Sequence, residues 1–102
     1  MDILSRIKRL VIARKIVFTR KAEDERLLDE LTVDDIIESI ARATAIKKTI
    51  RSTSHRKTSK KEKLYVIESP NLSGVWIYTK GTVRKTKIGD VFYILVSSKI
   101  SI

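Results

Sequence analysis

Tyr78, Lys80 and Lys99 are the residues of this chain whose types and positions are best suited to moving protons and holding phosphate. Tyr78 and Lys80 lie in the stretch Gly74–Gly81, whose β-branched and aromatic residues between two glycines predict a strand. Because side chains alternate along a strand, Tyr78 and Lys80 share one face with Trp76. The other face has the composition of a core and carries Val75, Ile77 and Thr79. Lys99 follows an apolar strand and a Ser-Ser pair whose hydroxyls are available to a ligand.

Several kinds of site are excluded by composition. The chain has neither a GxxxxGK[ST] nor a GxGxxG motif. It has one His and no Cys, which excludes two-His metal clusters, thiolate sites and a pair of catalytic imidazoles. The acidic residues of the second half are too few and too scattered for a two-metal nuclease: Glu62, Glu68 and Asp90.

The remaining Lys, Arg, Tyr and Ser side chains are able to cleave RNA without a metal. RNA supplies its own nucleophile, the 2′-OH beside the scissile phosphate, so the protein has only to transfer protons and stabilise charge. A Lys among other cations has a lowered pKa and can act as acid or base, and Tyr can donate a proton. We therefore predict catalytic roles for Tyr78, Lys80 and Lys99.

The net positive charge lies in the second half of the chain. The net charge is +10, from 22 Lys and Arg against 12 Asp and Glu. Residues 1–43 hold nine residues of each sign, whereas residues 44–102 hold thirteen basic and three acidic ones. This asymmetry favours a polyanion or an acidic protein as partner over a basic surface kept for solubility. Candidate RNA-binding residues in this half are Lys48, Arg51, His55, Arg56, Lys60 and Lys61. Arg51 could instead pair with Glu68 across a hairpin.

Apolar periodicity predicts three helices in the first half. The first covers residues 2–14, and the second runs from Arg20 to Glu30 with Thr19 as its cap. The third follows a capping-box sequence, Thr32 to Asp35, and ends near Ala43. Between the first two helices, residues 15–18 are predicted to be a short β-like or extended link.

The period then changes to two and predicts four strands. They are expected at residues 45–51, 63–68, 75–80 with a short extension, and 91–99, with an exposed loop over 52–62. Short links favour antiparallel pairing, and helices before strands favour an α+β domain with helices on one sheet face. Trp76, the only Trp, is interpreted as a packing residue. The length of 102 residues predicts one domain over 1–102. Without an apolar run of transmembrane length or a signal peptide, we expect a cytoplasmic protein.

The chain also resembles the MqsR and RelE-like type II toxins, most closely small toxins usually encoded beside a YgiT-type zinc-finger antitoxin. The resemblance spans most of the chain and is carried by IVFTRKAEDE (16–25), EKLYVI (62–67), WIYTKG (76–81) and VFYILVSSK (91–99). It implies a RelE/MqsR-like fold, an endoribonuclease that cleaves mRNA without a cofactor, and an antitoxin protein as partner.

The same resemblance implies particular site residues. Tyr78 and Lys80 resemble the Tyr-x-Lys of the family's third strand, and Lys99 resembles the Lys after Val-Ser. Lys48 matches the first-strand Lys loosely. The family's Gln falls near Lys63, which is a departure; by this position the resemblance implies Lys63 as a fourth catalytic residue, and the alternative is a solvated Lys beside the basic loop. A second departure is Lys21-Ala22, where related sequences often have His-Ala.

Two alternatives to the enzyme remain. One is a non-catalytic RNA-binding or antitoxin-binding module of the same fold. The other is a protein that uses its basic half at a membrane surface.

Overall fold

Three helices and five strands make up the part of the chain that the structure, a computed structural model, describes: residues 2–51 and 62–102. The helices are α1 (Ile3–Ile12), α2 (Arg20–Leu28) and α3 (Val33–Arg42). The strands are β1 (Ile16–Phe18), β2 (Lys48–Arg51), β3 (Lys63–Pro70), β4 (Trp76–Lys85) and β5 (Val91–Ile100). In these ranges no helix is long and apolar enough to cross a membrane. The α+β class expected from the sequence is confirmed.

Each helix begins at a side chain that accepts a hydrogen bond from a free backbone N–H of the first turn. Asp2 accepts from Ser5 at 2.8 Å, and Thr19 accepts from Ala22 at 3.2 Å. At α3 both halves of the predicted capping box form: the Asp35 N–H donates to Thr32, and the Thr32 N–H donates to Asp35. The helix starts predicted from the sequence are thus confirmed.

The sheet differs from the predicted four-stranded, mainly antiparallel one. Its strand order is β1-β5-β4-β3-β2, and β1 runs parallel to β5, with Ile16 opposite Tyr93. The described sheet is therefore five-stranded and mixed. The sequence does not predict β1 as a strand of this sheet, because three residues are too few for a visible alternation. Their partner strand lies more than seventy residues further along the chain, where no local pattern reveals it.

One face of this sheet forms the core. Helices α1 and α3 pack on it, and the fully buried side chains on both sides of that contact are Ile7, Val11, Ile36, Ile40, Ile67, Ile77, Tyr93 and Leu95. Residues paired across neighbouring strands share a face, so the register assigns the opposite one. This opposite face, the open face, carries Lys48, Leu64, Val66, Glu68, Trp76, Tyr78, Lys80, Thr82, Ile94 and Lys99.

Candidate active site

Glu68, Tyr78 and Lys99 form a row across three neighbouring strands of the open face. Tyr78 on β4 lies opposite Glu68 on β3 and opposite Lys99 on β5. The Nζ atom of Lys99 is 5.5 Å from the centroid of the Tyr78 ring, within cation–π range. An acceptor, a phenol and a cation therefore stand next to one another on a rigid sheet.

The row borders a pocket of about 350 Å³. The pocket is lined by Glu68, Tyr78, Lys99, Ile100, Ser101 and Ile102. Three polar side chains of different chemistry thus converge on one concavity, the arrangement typical of a binding or catalytic site.

Glu68 is held in its charged form. Lys47 Nζ donates to one carboxylate oxygen at 2.7 Å, and the Ser101 hydroxyl donates to the other at 2.8 Å. The hydrogen bond from Lys47, followed by that from Ser101, lowers the pKa of Glu68 below its ordinary 4.5. The charges of Lys47 and Lys48 act in the same direction. Glu68 is therefore ionised at neutral pH.

Glu68 is not among the site residues predicted from the sequence. The alternative ion pair between Glu68 and Arg51 is wrong, because Glu68 is paired with Lys47. The register instead places Arg51 opposite Lys63. The alternation of β4 does place Tyr78 on the open face. That Glu68 is the neighbour of Tyr78 on β3, however, is known only from the register between the two strands.

Two further cations lie one row away on the open face. Lys80 and Lys48 both pair with Val66, one on each side of β3. Lys80 is two residues from Tyr78 on the same face of β4, which is a separation of about 7 Å along the strand. The structure therefore brings together three of the four predicted catalytic residues, Tyr78, Lys80 and Lys99, with Lys48 beside them.

Lys63 is not part of this group. It alternates with Tyr65 and Ile67 on the side of the sheet that forms the core, at the exposed end of β3. Arg51, its partner across the hairpin, shares that side. Four other predicted RNA-binding residues lie outside the described residues: His55, Arg56, Lys60 and Lys61.

A β-bulge at Val96 places Lys99 on the open face. Gly81 pairs with Leu95, and Lys80 pairs with Ser97, so Val96 is an extra residue in β5. Without it, strict alternation from the buried Leu95 would put Lys99 on the core side. The bulge therefore decides whether Lys99 and Tyr78 can act together.

Close packing accompanies the bulge. A Cβ at Gly81 would lie 2.6 Å from Cζ of Tyr93 and 2.8 Å from the carbonyl oxygen of Ile94. The ring of Tyr93 is fully buried, and its hydroxyl has no hydrogen-bond partner in residues 2–51 and 62–102. Burial raises the pKa of Tyr93 above its ordinary range. Tyr93 is therefore a core residue, packed where only a Gly leaves room.

Helix α2 fixes the end of β5 that carries Lys99. The carboxylate of Glu25 accepts from the Ser97 hydroxyl at 2.7 Å and from the Ser98 N–H at 3.2 Å. One turn later, Asp29 accepts from the Ile100 N–H at 2.8 Å. From the sequence, the Ser97 and Ser98 hydroxyls are expected to be available to a ligand. Instead both residues are buried, and both hydroxyls donate hydrogen bonds to α2. The Ser97 hydroxyl donates to Glu25, and the Ser98 hydroxyl donates to the carbonyl oxygen of Ala22.

The environment of Glu25 favours its charged form. Burial acts to raise its pKa, but the hydrogen bonds from Ser97 and Ser98 and the charges of Lys21 and Lys99 outweigh burial and lower it. Glu25 thus links α2 electrostatically to Lys99.

Within the described ranges, no three His, Cys, Asp or Glu side chains are grouped closely enough to hold a metal ion. No family model, curated protein or solved structure matches the chain.

Proposed function

We propose that this protein is an endoribonuclease that cleaves single-stranded RNA, without a metal, at the pocket beside Tyr78. The observation that carries the proposal is the row of Glu68, Tyr78 and Lys99, which lies on the sheet face opposite the core and borders the pocket. A carboxylate, a phenol and ammonium groups are sufficient for cleavage when the substrate brings its own nucleophile.

The roles follow from the chemistry of each group. Glu68 accepts the proton of the 2′-OH, whose oxygen attacks the adjacent phosphorus. The bond from phosphorus to O5′ breaks, and Tyr78 donates a proton to the leaving oxygen. Lys99 and Lys80 stabilise the charge that develops on the non-bridging oxygens. The products are a 2′,3′-cyclic phosphate and a 5′-OH, and proton exchange with water restores Glu68 and Tyr78.

The charge of the open face supports RNA as the substrate. Lys48, Lys80 and Lys99 are all on this face, in the half of the chain that holds the whole net charge. The carboxylate of Glu68 is already matched by Lys47, so it repels phosphate less than a free carboxylate would.

The proposal extends to a biological role. The resemblance to RelE/MqsR-like toxins, together with the α+β class, supports a bacterial toxin that acts on mRNA in the cytoplasm. Its partner is then an antitoxin protein, with the YgiT-type zinc-finger protein as the first candidate. Expression of the chain alone should stop growth, and co-expression of the neighbouring reading frame should relieve the arrest. Unimpaired growth at high expression would contradict the toxin role.

Incubation of the purified protein with a long mRNA in EDTA tests the enzyme. We expect cleavage to persist and to leave 2′,3′-cyclic phosphate ends, because no step uses a metal. A single 2′-deoxy nucleotide at the cleaved position should block the reaction there, since it removes the nucleophile. Tyr78→Phe and Lys99→Ala should each lower the rate at least about tenfold with the fold intact. Bound but intact RNA would favour the non-catalytic binding module instead.

A further inference from the structure

Trp76 lies exposed on the open face, two residues before Tyr78, which lines the pocket. Its side chain is on the open face, and 55% of the residue is accessible to solvent. The sequence interpretation of Trp76 as a packing residue is therefore wrong. Large aromatic side chains supply much of the apolar area that cores bury. An indole left in water at a candidate active site therefore points to a ligand.

The backbone ties Trp76 to the pocket. Ser101 continues β5 opposite Trp76, and its N–H donates to the Trp76 carbonyl oxygen at 2.9 Å. The hydroxyl of the same Ser101 donates to Glu68, which lines the pocket. Trp76 and Tyr78 are two residues apart on one face, at a separation of about 7 Å. A ligand in the pocket that extends along β4 would reach the indole.

We propose that Trp76 is the platform on which the base of a nucleotide next to the scissile phosphate stacks. This inference rests on the proposed function of the pocket, and it adds a binding subsite for the substrate. Every nucleobase has a π-face, so an exposed aromatic ring beside cations binds single strands with little sequence preference. Bases in a duplex are already stacked on their neighbours, so the platform selects single-stranded segments.

The charges around Trp76 favour a nucleic acid over an acidic protein segment. Lys80 and Lys99 stand on the same face within one or two rows of the indole. Both cations can therefore attract the phosphates of a strand whose base lies on the ring. The Asp and Glu side chains of an acidic peptide would satisfy the cations but have no aromatic ring to stack on the indole.

The only Trp of the chain is also its own reporter. We would titrate the protein with a single-stranded DNA oligonucleotide, which lacks the 2′-OH and cannot be cleaved by the proposed route. Binding is followed by Trp fluorescence and, independently, by the anisotropy of a labelled oligonucleotide. We expect saturable quenching with the same Kd from both signals.

Variants then separate stacking from general binding. Trp76→Ala should weaken oligonucleotide binding at least about fivefold, as expected for the loss of one stacked base, whereas Trp76→Tyr should retain most of the affinity. Leu72→Ala is the matched control, because Leu72 is another exposed apolar residue, at 70%, in the turn before β4. It should leave binding unchanged. Circular dichroism checks that each variant is folded.

Several outcomes would overturn the platform. These are oligonucleotide binding without quenching, an unchanged Kd for Trp76→Ala, and quenching by poly-glutamate but not by the oligonucleotide. None of them bears on cleavage, which is measured separately on long mRNA by its 2′,3′-cyclic phosphate ends. Quenching and a Trp76-dependent Kd without any cleavage would instead overturn the proposed enzyme and leave the platform standing.

Discussion

The two faces of the sheet differ in what their residues contribute. On the core face, side chains such as Ile67, Ile77 and Leu95 are fully buried against α1 and α3. On the open face, Glu68, Tyr78 and Lys99 form a polar row beside a pocket, with Trp76 exposed next to it. Burial of apolar area explains the first set. It does not explain the second, which contributes little to folding. The comparison indicates that changes on one face should mainly alter stability and changes on the other should mainly alter activity.

Deletion of Val96 should have the largest effect on cleavage. It removes the bulge that allows Leu95 to face the core while Lys99 lies on the open face. Strict alternation would turn Lys99 towards the core or expose Leu95. We expect a loss of RNA cleavage of more than about 1,000-fold, which lies in the upper part of the range of about 10²–10⁴ that one acid–base group contributes. The measurement is cleavage rate together with thermal unfolding. Val96→Ala keeps the residue count and is the control; if it were as damaging as the deletion, the bulge would not be the cause.

Glu68→Gln should reduce cleavage about 100-fold, as expected for loss of a general base, with little change in Tm. The wild-type pKa is lowered, so the carboxylate form persists as pH falls from 7 to the ordinary 4.5 and is lost only below that. The wild-type rate should therefore lose its Glu68-dependent part only below about pH 4.5. The pH profile of the variant should lack this fall in rate on the acidic side, the acidic limb. A wild-type limb centred well above pH 4.5 would assign the base to another group.

Gly81→Ala tests the core face. The added Cβ would meet the Tyr93 ring and the backbone oxygen of Ile94 at under 3 Å. We expect destabilisation by about 2 kcal/mol, typical of overpacking, and a fall in Tm of about 10 °C for a domain of this size. Thr49→Ala on the exposed edge strand β2 is the control and should stay within about 0.5 kcal/mol. An unchanged Tm for Gly81→Ala would mean that Tyr93 can move aside.

Lys80→Ala and Lys63→Ala form the mildest test, since each removes one cation. Lys80, on β4, lies on the open face of the sheet. Lys63, on β3, lies on the opposite face. Lys80→Ala should lower the slope of log K against log salt for single-stranded RNA by about 0.7, the value for one lost phosphate contact. Lys63→Ala should leave the slope unchanged. Equal changes for both would show that the RNA does not distinguish the faces.

The sequence predicted whatever depends on neighbours along the chain. Thr19 and the Thr32–Asp35 box marked helix starts, and alternation placed Tyr78 and Lys80 on one face. These patterns are local, because hydrogen bonds three residues apart and the pleat of one strand set them.

What the sequence did not predict depends on distant pairing. The parallel strand β1 joins a segment more than seventy residues away, and the bulge at Val96 is visible only in the register with β4. For the same reason Glu68 was not recognised as the neighbour of Tyr78. The exposure of Trp76 was also missed, because an indole in a strand resembles a core residue in sequence.

The contact between α2 and β5 has a consequence for solubility. Strand β1 pairs with β5 only as far as Leu95, so the N–H groups of Ser98 and Ile100 would otherwise form an open edge available to another chain. The carboxylates of Glu25 and Asp29 accept hydrogen bonds from those N–H groups, so the groups cannot pair with a strand of another chain. Because the pKa of Glu25 is lowered, this protection persists at neutral pH and weakens when acid protonates the carboxylate. Strongly acidic conditions should therefore promote strand-to-strand aggregation of the protein through this edge.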